Sequence, residues 1–206
     1  LLGDLAQGVG EQKYVAQASI FWQPEMSQWR FGLAKLDSIF SYNSAVSDVF
    51  TDADFTFDQY IVSAMYEGEL WEFSSEISNT GFKIEGFYAD GFNQAKTSLG
   101  GYVQARYRFN DSLRLLARVE RYYADKNDKD GKDLEDGSNG LVPSYFGFQH
   151  DITLGASYDF AGSFRADFEY HYVEGTARLT PIVFPNLELN NSKRWDIFAV
   201  QLMYWF

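Results

Sequence analysis

Cysteine is absent from the 206 residues of this chain, and only four residues are proline. Without cysteine, neither a disulfide framework nor a cysteine-ligated zinc site is possible. The sequence also lacks any apolar run near the roughly 18–20 residues that a membrane-spanning helix requires. A helical membrane span is therefore excluded. A span built from strands is not, because barrel strands alternate apolar and polar residues and average to modest hydropathy.

Basic residues are in the minority, with 17 lysines and arginines against 29 aspartates and glutamates and a formal net charge of −12. Nucleic-acid binding selects for basic surfaces that neutralise phosphates, so we expect no nucleic-acid partner. The length suits one domain of ordinary size, and we treat residues 1–206 as a single domain.

Aromatic residues are abundant, at 18% of the chain, and they take part in a period of two. On one run, Leu113, Leu115 and Val119 alternate with Arg114 and Arg118. Similar alternation marks 14–22, 29–33, 60–66, 71–77, 102–109, 151–160, 164–172 and 198–206. Such alternation, rich in Tyr, Phe, Val and Leu, is typical of half-buried strands. The sequence therefore predicts an all-β chain of about nine or ten strands.

The connections between these strands alternate in length. Short turns are expected at 23–26, 67–69, 110–111 and 161–162, and long polar loops near 43–56, 79–97, 125–146 and 175–193. This pattern predicts an up-and-down antiparallel transmembrane β-barrel, with short periplasmic turns and longer extracellular loops. A soluble β-sandwich or a lipocalin-like barrel also alternates, but its apolar face points inward. The aromatic content, the connection lengths and the charges on nearly every polar face favour the membrane barrel.

The last strand, Ile197–Phe206, resembles the C-terminal signature of Gram-negative outer-membrane proteins. In that family the chain ends in an aromatic residue with apolar residues at alternate positions before it, as Phe198, Val200, Leu202, Tyr204 and Phe206 do here. The hairpins at 64–73 and 102–119 are similar to hairpins of general and substrate-selective porins. The resemblance implies a place in the bacterial outer membrane among lipid and lipopolysaccharide, recognition by the barrel-assembly machinery, and, by analogy with porins, a homotrimer.

Nine strands would be an odd number, whereas single-chain bacterial barrels have an even one. Either a further strand lies within 79–97, where Phe82 and Ile84 alternate with Lys83 and Glu85, or the chain is part of a larger barrel. We expect the second: the C-terminal part of a barrel of about 16 strands.

If the apolar faces meet lipid, the opposite faces line the lumen. The candidate pore-lining residues are Arg30, Glu72, Glu76, Arg106, Arg108, Arg114, Arg118, Glu120, Asp151, Asp159, Arg165, Asp167 and Glu169. The arginines of 106–118 would form a basic ladder on one wall of the lumen. The carboxylates of the next hairpin would form an acidic ladder beside it. Opposed ladders in a water-filled pore orient dipolar solutes and set ion selectivity. Alternatively, these charges pair across strands only to satisfy a narrow or plugged lumen.

We therefore predict an outer-membrane porin or channel for passive diffusion of small hydrophilic or charged solutes, with no enzymatic activity, catalytic residue, metal or cofactor. The acidic loop at 125–137 does not fit a calcium-binding EF-hand, because counting from Gly131 places Lys126 first and Gly137 last. One alternative is a barrel enzyme of protease or lipase type, since His171 shares a face with Asp167 and Glu169. Another is a structural or adhesive barrel with a closed lumen.

Overall fold

The protein is represented by a computed structural model that describes residues 7–87, 89, 91–179 and 192–206. The strands are β1 (Val9–Trp22), β2 (Trp29–Asn43), β3 (Ala53–Glu67), β4 (Trp71–Gly86), β5 (Asn93–Arg108), β6 (Leu113–Tyr123), β7 (Phe148–Phe160), β8 (Phe164–Gly175) and β9 (Arg194–Tyr204). They form one nine-stranded antiparallel sheet in which each strand pairs with its neighbours in the chain. The predicted all-β, up-and-down arrangement is confirmed.

The sheet has two free edges within the described residues. The strand order begins at β1 and ends at β9, and no pairing joins these two strands in the described part of the chain. Because successive strands alternate in direction, β1 and β9 run the same way. Closing the sheet through antiparallel pairs alone would therefore need an odd number of further strands.

Several strands are longer than the expected ten residues. The loop expected at 43–56 shrinks to 44–52, and the one expected at 79–97 shrinks to 87–92. The alternation of Phe82 and Ile84 with Lys83 belongs to the continuation of β4, because Lys83 stands opposite Thr56 of β3 and Ala95 of β5. The separate strand considered for 79–97 is therefore wrong.

The connection between β6 and β7 contains regular structure. A short helix, α1 (Lys132–Gly137), is followed by a 3-10 turn at Ser144–Phe146. The buried carboxylate of Asp128 accepts a hydrogen bond of 2.9 Å from the backbone N–H of Leu134 in α1. The connection expected at 175–193 lies largely outside the described residues. Among those described, no helix has both the length and the apolar character of a membrane span.

Gly175 ends β8 with a left-handed backbone, at φ +90°. A Cβ placed there would lie 2.1 Å from the carbonyl oxygen of Phe148. Only glycine tolerates both the dihedral and the contact without strain. The bend leads into a turn closed by the Leu179 N–H donating to the Thr176 carbonyl at 2.9 Å.

We predict that Gly175→Ala destabilises this corner by about 1–3 kcal/mol, the usual cost of a forced backbone conformation. Gly137→Ala is the matched control, because nothing lies within 4 Å of a Cβ at that position. Urea titration of both variants gives the comparison. Equal midpoints for the two variants would contradict the assigned strain.

Candidate functional site

The two faces of the sheet differ in chemistry. On β6, Leu115 and Ala117 point to one side, which we call the apolar face, while Arg114 and Arg118 point to the other, which we call the charged face. The cross-strand register places all the candidate pore-lining residues on the charged face: Arg30, Glu72, Glu76, Arg106, Arg108, Arg114, Arg118, Glu120, Asp151, Asp159, Arg165, Asp167 and Glu169.

An ion-pair cluster stands near the short turn between β7 and β8. Asp159 receives two hydrogen bonds from Arg165, from Nε at 2.5 Å and from Nη2 at 2.9 Å. Arg114 approaches the same carboxylate at 3.3 Å. Two guanidinium groups thus share one carboxylate, and Asp167 attracts Arg165 from a longer distance. The charges interleave between neighbouring strands, so the basic ladder is partly neutralised where it meets the acidic hairpin.

A second cluster centres on Glu120, whose side chain is only 11% exposed. Arg118 and Arg178 both donate to its carboxylate. The guanidinium of Arg118 lies 4.0 Å from the ring centre of Tyr102, and that of Arg178 lies 4.8 Å from the ring centre of Tyr122. A mostly buried carboxylate is thus paired with two arginines that lie over aromatic rings.

Arg178 was not among the predicted site residues, because it lies in a connection and has no period-two neighbours to place it. The bend at Gly175 turns the chain so that Arg178 reaches across to β6. Its backbone N–H donates to the Gln149 side chain at 3.2 Å. Its guanidinium lies near Gly100 of β5, 3.6 Å from where a Cβ would be, so the absence of a side chain at Gly100 leaves room for it.

His171 lies between two carboxylates on the charged face. Its Nδ1 is 2.9 Å from Asp151 and 3.1 Å from the hydroxyl of Thr153, and its Nε2 is 3.4 Å from Glu169. In a nucleophilic triad the hydroxyl and the acid bind different ring nitrogens. Here Thr153 and Asp151 share Nδ1, Glu169 lies at Nε2, and the Thr153 hydroxyl donates to Asp151 at 3.1 Å.

The same geometry bears on metal binding. Asp151 lies at Nδ1 of the His171 ring and Glu169 lies at Nε2. A metal ion bound to one ring nitrogen could therefore not be bound by both carboxylates. Within the described ranges, no group of three or more His, Asp or Glu side chains is arranged to hold a metal.

A cavity of about 400 Å³ opens on the charged face near the short turns. We call it the charged cavity. Its lining runs from Glu72 on β4 and Arg106 on β5 to Asp167 on β8 and Gln201 on β9. Because side chains of strands so far apart in the sheet line one cavity, the sheet curves around its charged face.

The charged face becomes aromatic toward the long connections of β2–β4. Phe55 lies 6.1 Å from Phe40 and 6.3 Å from Phe82, and Phe57 lies 4.8 Å from Phe82, all measured between ring centres. The opposite face at this level carries the ion pairs Lys35–Asp37 and Lys83–Glu85. The apolar side therefore changes face along these strands, a feature that the sequence analysis did not identify.

Asp48 fastens the connection between β2 and β3. Desolvation would raise the pKa of its carboxyl group. Hydrogen bonds from the Tyr42 hydroxyl and from the backbone N–H groups of Gln7, Ala45 and Gly8 outweigh that effect and hold the pKa below its usual value. The lowered pKa means that the ionised carboxylate stabilises this corner above about pH 4, and that the stabilisation is lost as the pH falls further.

Comparison with models of known protein families gives no match, and comparison with curated proteins gives none either.

We predict that Arg178→Gln speeds hydrogen exchange at the amides of 176–179 by about fivefold, the loss expected for a half-exposed charged hydrogen bond of ~1 kcal/mol. Arg121→Gln is the control, because Arg121 follows Glu120 directly but points to the opposite face. Exchange measured by mass spectrometry distinguishes the two. Unchanged exchange in Arg178→Gln would contradict the anchoring role.

Proposed function

We propose that this chain belongs to an outer-membrane β-barrel channel for passive diffusion of small hydrophilic or charged solutes. The observation that carries the proposal is the division of one continuous sheet into an exposed apolar face and a face bearing charges of both signs. Apolar side chains such as Phe198, Val200 and Leu202 are 65–79% exposed. A surface of this kind on so many strands needs an apolar environment, because exposed apolar patches on soluble monomers are far smaller.

The apolar face is bordered by aromatic residues at its short-turn end. Ring centres lie 5.2 Å apart for Trp29 and Tyr66, 4.6 Å for Trp71 and Tyr107, and 4.7 Å for Phe164 and Tyr204. Rows of Trp and Tyr are typical of the level where lipid headgroups meet hydrocarbon, because these rings are apolar with a polar edge. We assign this row to the periplasmic interface.

Polar residues end the apolar band on the other side. On the apolar face of β3, the uncharged run begins at Tyr66 and ends where Asp58 introduces a charge. On the apolar face of β6, the corresponding run begins at Leu113 and ends at Arg121. Each run covers about eight residues, or ~27 Å along the strand. At a strand tilt of about 40°, this is a band about 21 Å tall, close to the ~25 Å apolar band of outer-membrane barrels.

The free edges support a larger barrel. β1 and β9 are long strands whose outer edges have no partner within the described residues. Unpaired backbone groups are especially costly in lipid, so a membrane sheet must close. An odd number of additional strands allows antiparallel closure, and seven would bring nine to about 16. We propose that this chain forms the C-terminal part of such a barrel.

The remaining parts of the proposal follow from the resemblance of the last strand to outer-membrane proteins. They comprise residence in the outer membrane of a Gram-negative bacterium, contact with lipid and lipopolysaccharide, and recognition by the barrel-assembly machinery. Homotrimer formation rests on analogy with porins alone. A structural barrel with a closed lumen is the second candidate, because the aromatic residues around Phe55 and the Arg178 segment occupy part of the charged face.

We predict that the full-length protein forms stable conducting channels in planar lipid bilayers. Two adjacent residues in the middle of β6 provide a matched pair, because Ala117 lies on the apolar face and Leu116 on the charged face. Ala117→Arg should lower the yield of folded barrel, since Ala117 lies midway along the apolar band and arginine on a lipid-facing position costs about 2–4 kcal/mol near the bilayer midplane. Leu116→Arg should fold and shift the reversal potential toward anions.

The absence of channels from folded wild-type protein would overturn the channel and favour the closed barrel. Equal folding of the two arginine variants, measured by heat-dependent mobility in detergent gels, would overturn the membrane assignment.

A further inference from the structure

The charged cavity has a cationic flank on β5 and β6. Arg106 extends from β5 with half of its side chain exposed, and its ion-pair contact is a long one of 3.9 Å to Glu72. Arg114 shares Asp159 with Arg165, and Arg165 holds that carboxylate at shorter distances. Positive charge on this flank is therefore incompletely neutralised and open to a solute.

The opposite flank, on β8, carries two carboxylates, and Arg165 of the same strand lines the cavity while it is bound to Asp159. Asp167 accepts a hydrogen bond from the hydroxyl of Ser157, an uncharged partner. Glu169 is 45% exposed on its side chain, and its ionisable partner is His171 at 3.4 Å. In the part of the chain that the structure describes, no lysine or arginine lies within 4.0 Å of either carboxylate. Asp167 attracts Arg165 only beyond ion-pair distance, because Asp159 holds that guanidinium, so both carboxylates can still accept a cationic group.

Both flanks line the same space. Arg106, Arg114, Asp167 and Glu169 all line the cavity of about 400 Å³, and Ser157 and Gln201 add polar groups between them. This volume falls in the range of ordinary small-molecule sites. A solute with a single charge would be attracted by one flank and repelled by the other, whereas a solute with two opposite charges satisfies both.

We propose that the charged cavity binds dipolar solutes that carry a carboxylate and an ammonium group, that is, free α-amino acids. The carboxylate lies against Arg106 and Arg114, and the ammonium lies against Asp167 and Glu169. This inference rests on the proposed channel function and names the class of solute that the channel favours.

The test compares the entry of two solutes of similar size, neither of which carries a net charge, into liposomes that contain the full-length protein. L-serine is the zwitterion and erythritol the neutral polyol, and osmotic swelling measures the rate of entry of each. We expect L-serine to enter about fivefold faster, an effect of the size that one or two charge-assisted hydrogen bonds provide. Arg106→Gln and Asp167→Asn should each bring the ratio of the two rates close to one.

Two further variants distinguish the loss of solute recognition from a general disturbance of the channel. Arg106→Lys keeps the positive charge and should keep most of the preference. Arg30→Gln removes an arginine that lies on the charged face but does not line this cavity, and it should leave the ratio unchanged.

Entry of both solutes at equal rates in the wild type overturns the amino-acid proposal while leaving the channel intact. The same holds if the preference survives in both Arg106→Gln and Asp167→Asn. Entry of neither solute overturns the channel itself, and the solute proposal with it.

Discussion

The antiparallel hydrogen-bond ladder assigns every residue of the sheet to one of two faces, because side chains alternate along each paired strand. The register aligns Val119 with Val103 and Ile152 on one side, and Glu120 with Asp151 on the other. A slip of one residue would exchange these environments. The division into two faces is therefore both the result of the pairing and the reason that the register is specific.

Several charges on the charged face pair with one another across neighbouring strands. Asp159 and Glu120 each bind two arginines, while no arginine or lysine among the described residues lies within 4.0 Å of Asp167 or Glu169. The partly neutralised clusters give the wall a defined shape, and the incompletely neutralised groups lie around the charged cavity. Structural and recognition roles are thus divided among residues that look equivalent in the sequence. This division connects the ladder to the proposed selectivity.

Much of the fold could be predicted from period-two alternation, because each strand of β5–β9 has a clean apolar side. The extent of β4 was harder to predict, since Asn79, Thr80 and Gly81 interrupt the pattern although pairing on both sides keeps them in the strand. The prediction that the candidate charged residues share one face followed from their alternate positions along each strand. The role of Arg178 was not predictable, because it depends on the left-handed bend at Gly175 and on the space above Gly100. Such contacts arise from tertiary packing and have no local signal.

The most direct test of the account asks which face of the sheet meets lipid. The chain has no cysteine, so Val103→Cys and Gln104→Cys each introduce a single thiol at adjacent positions on opposite faces of β5. Each can carry a small environment-sensitive fluorophore in protein reconstituted into vesicles. We expect brominated lipid to quench the probe at residue 103 and aqueous iodide to quench the probe at residue 104. Quenching of the probe at residue 104 by lipid and of the probe at residue 103 by iodide would contradict this assignment of the two faces.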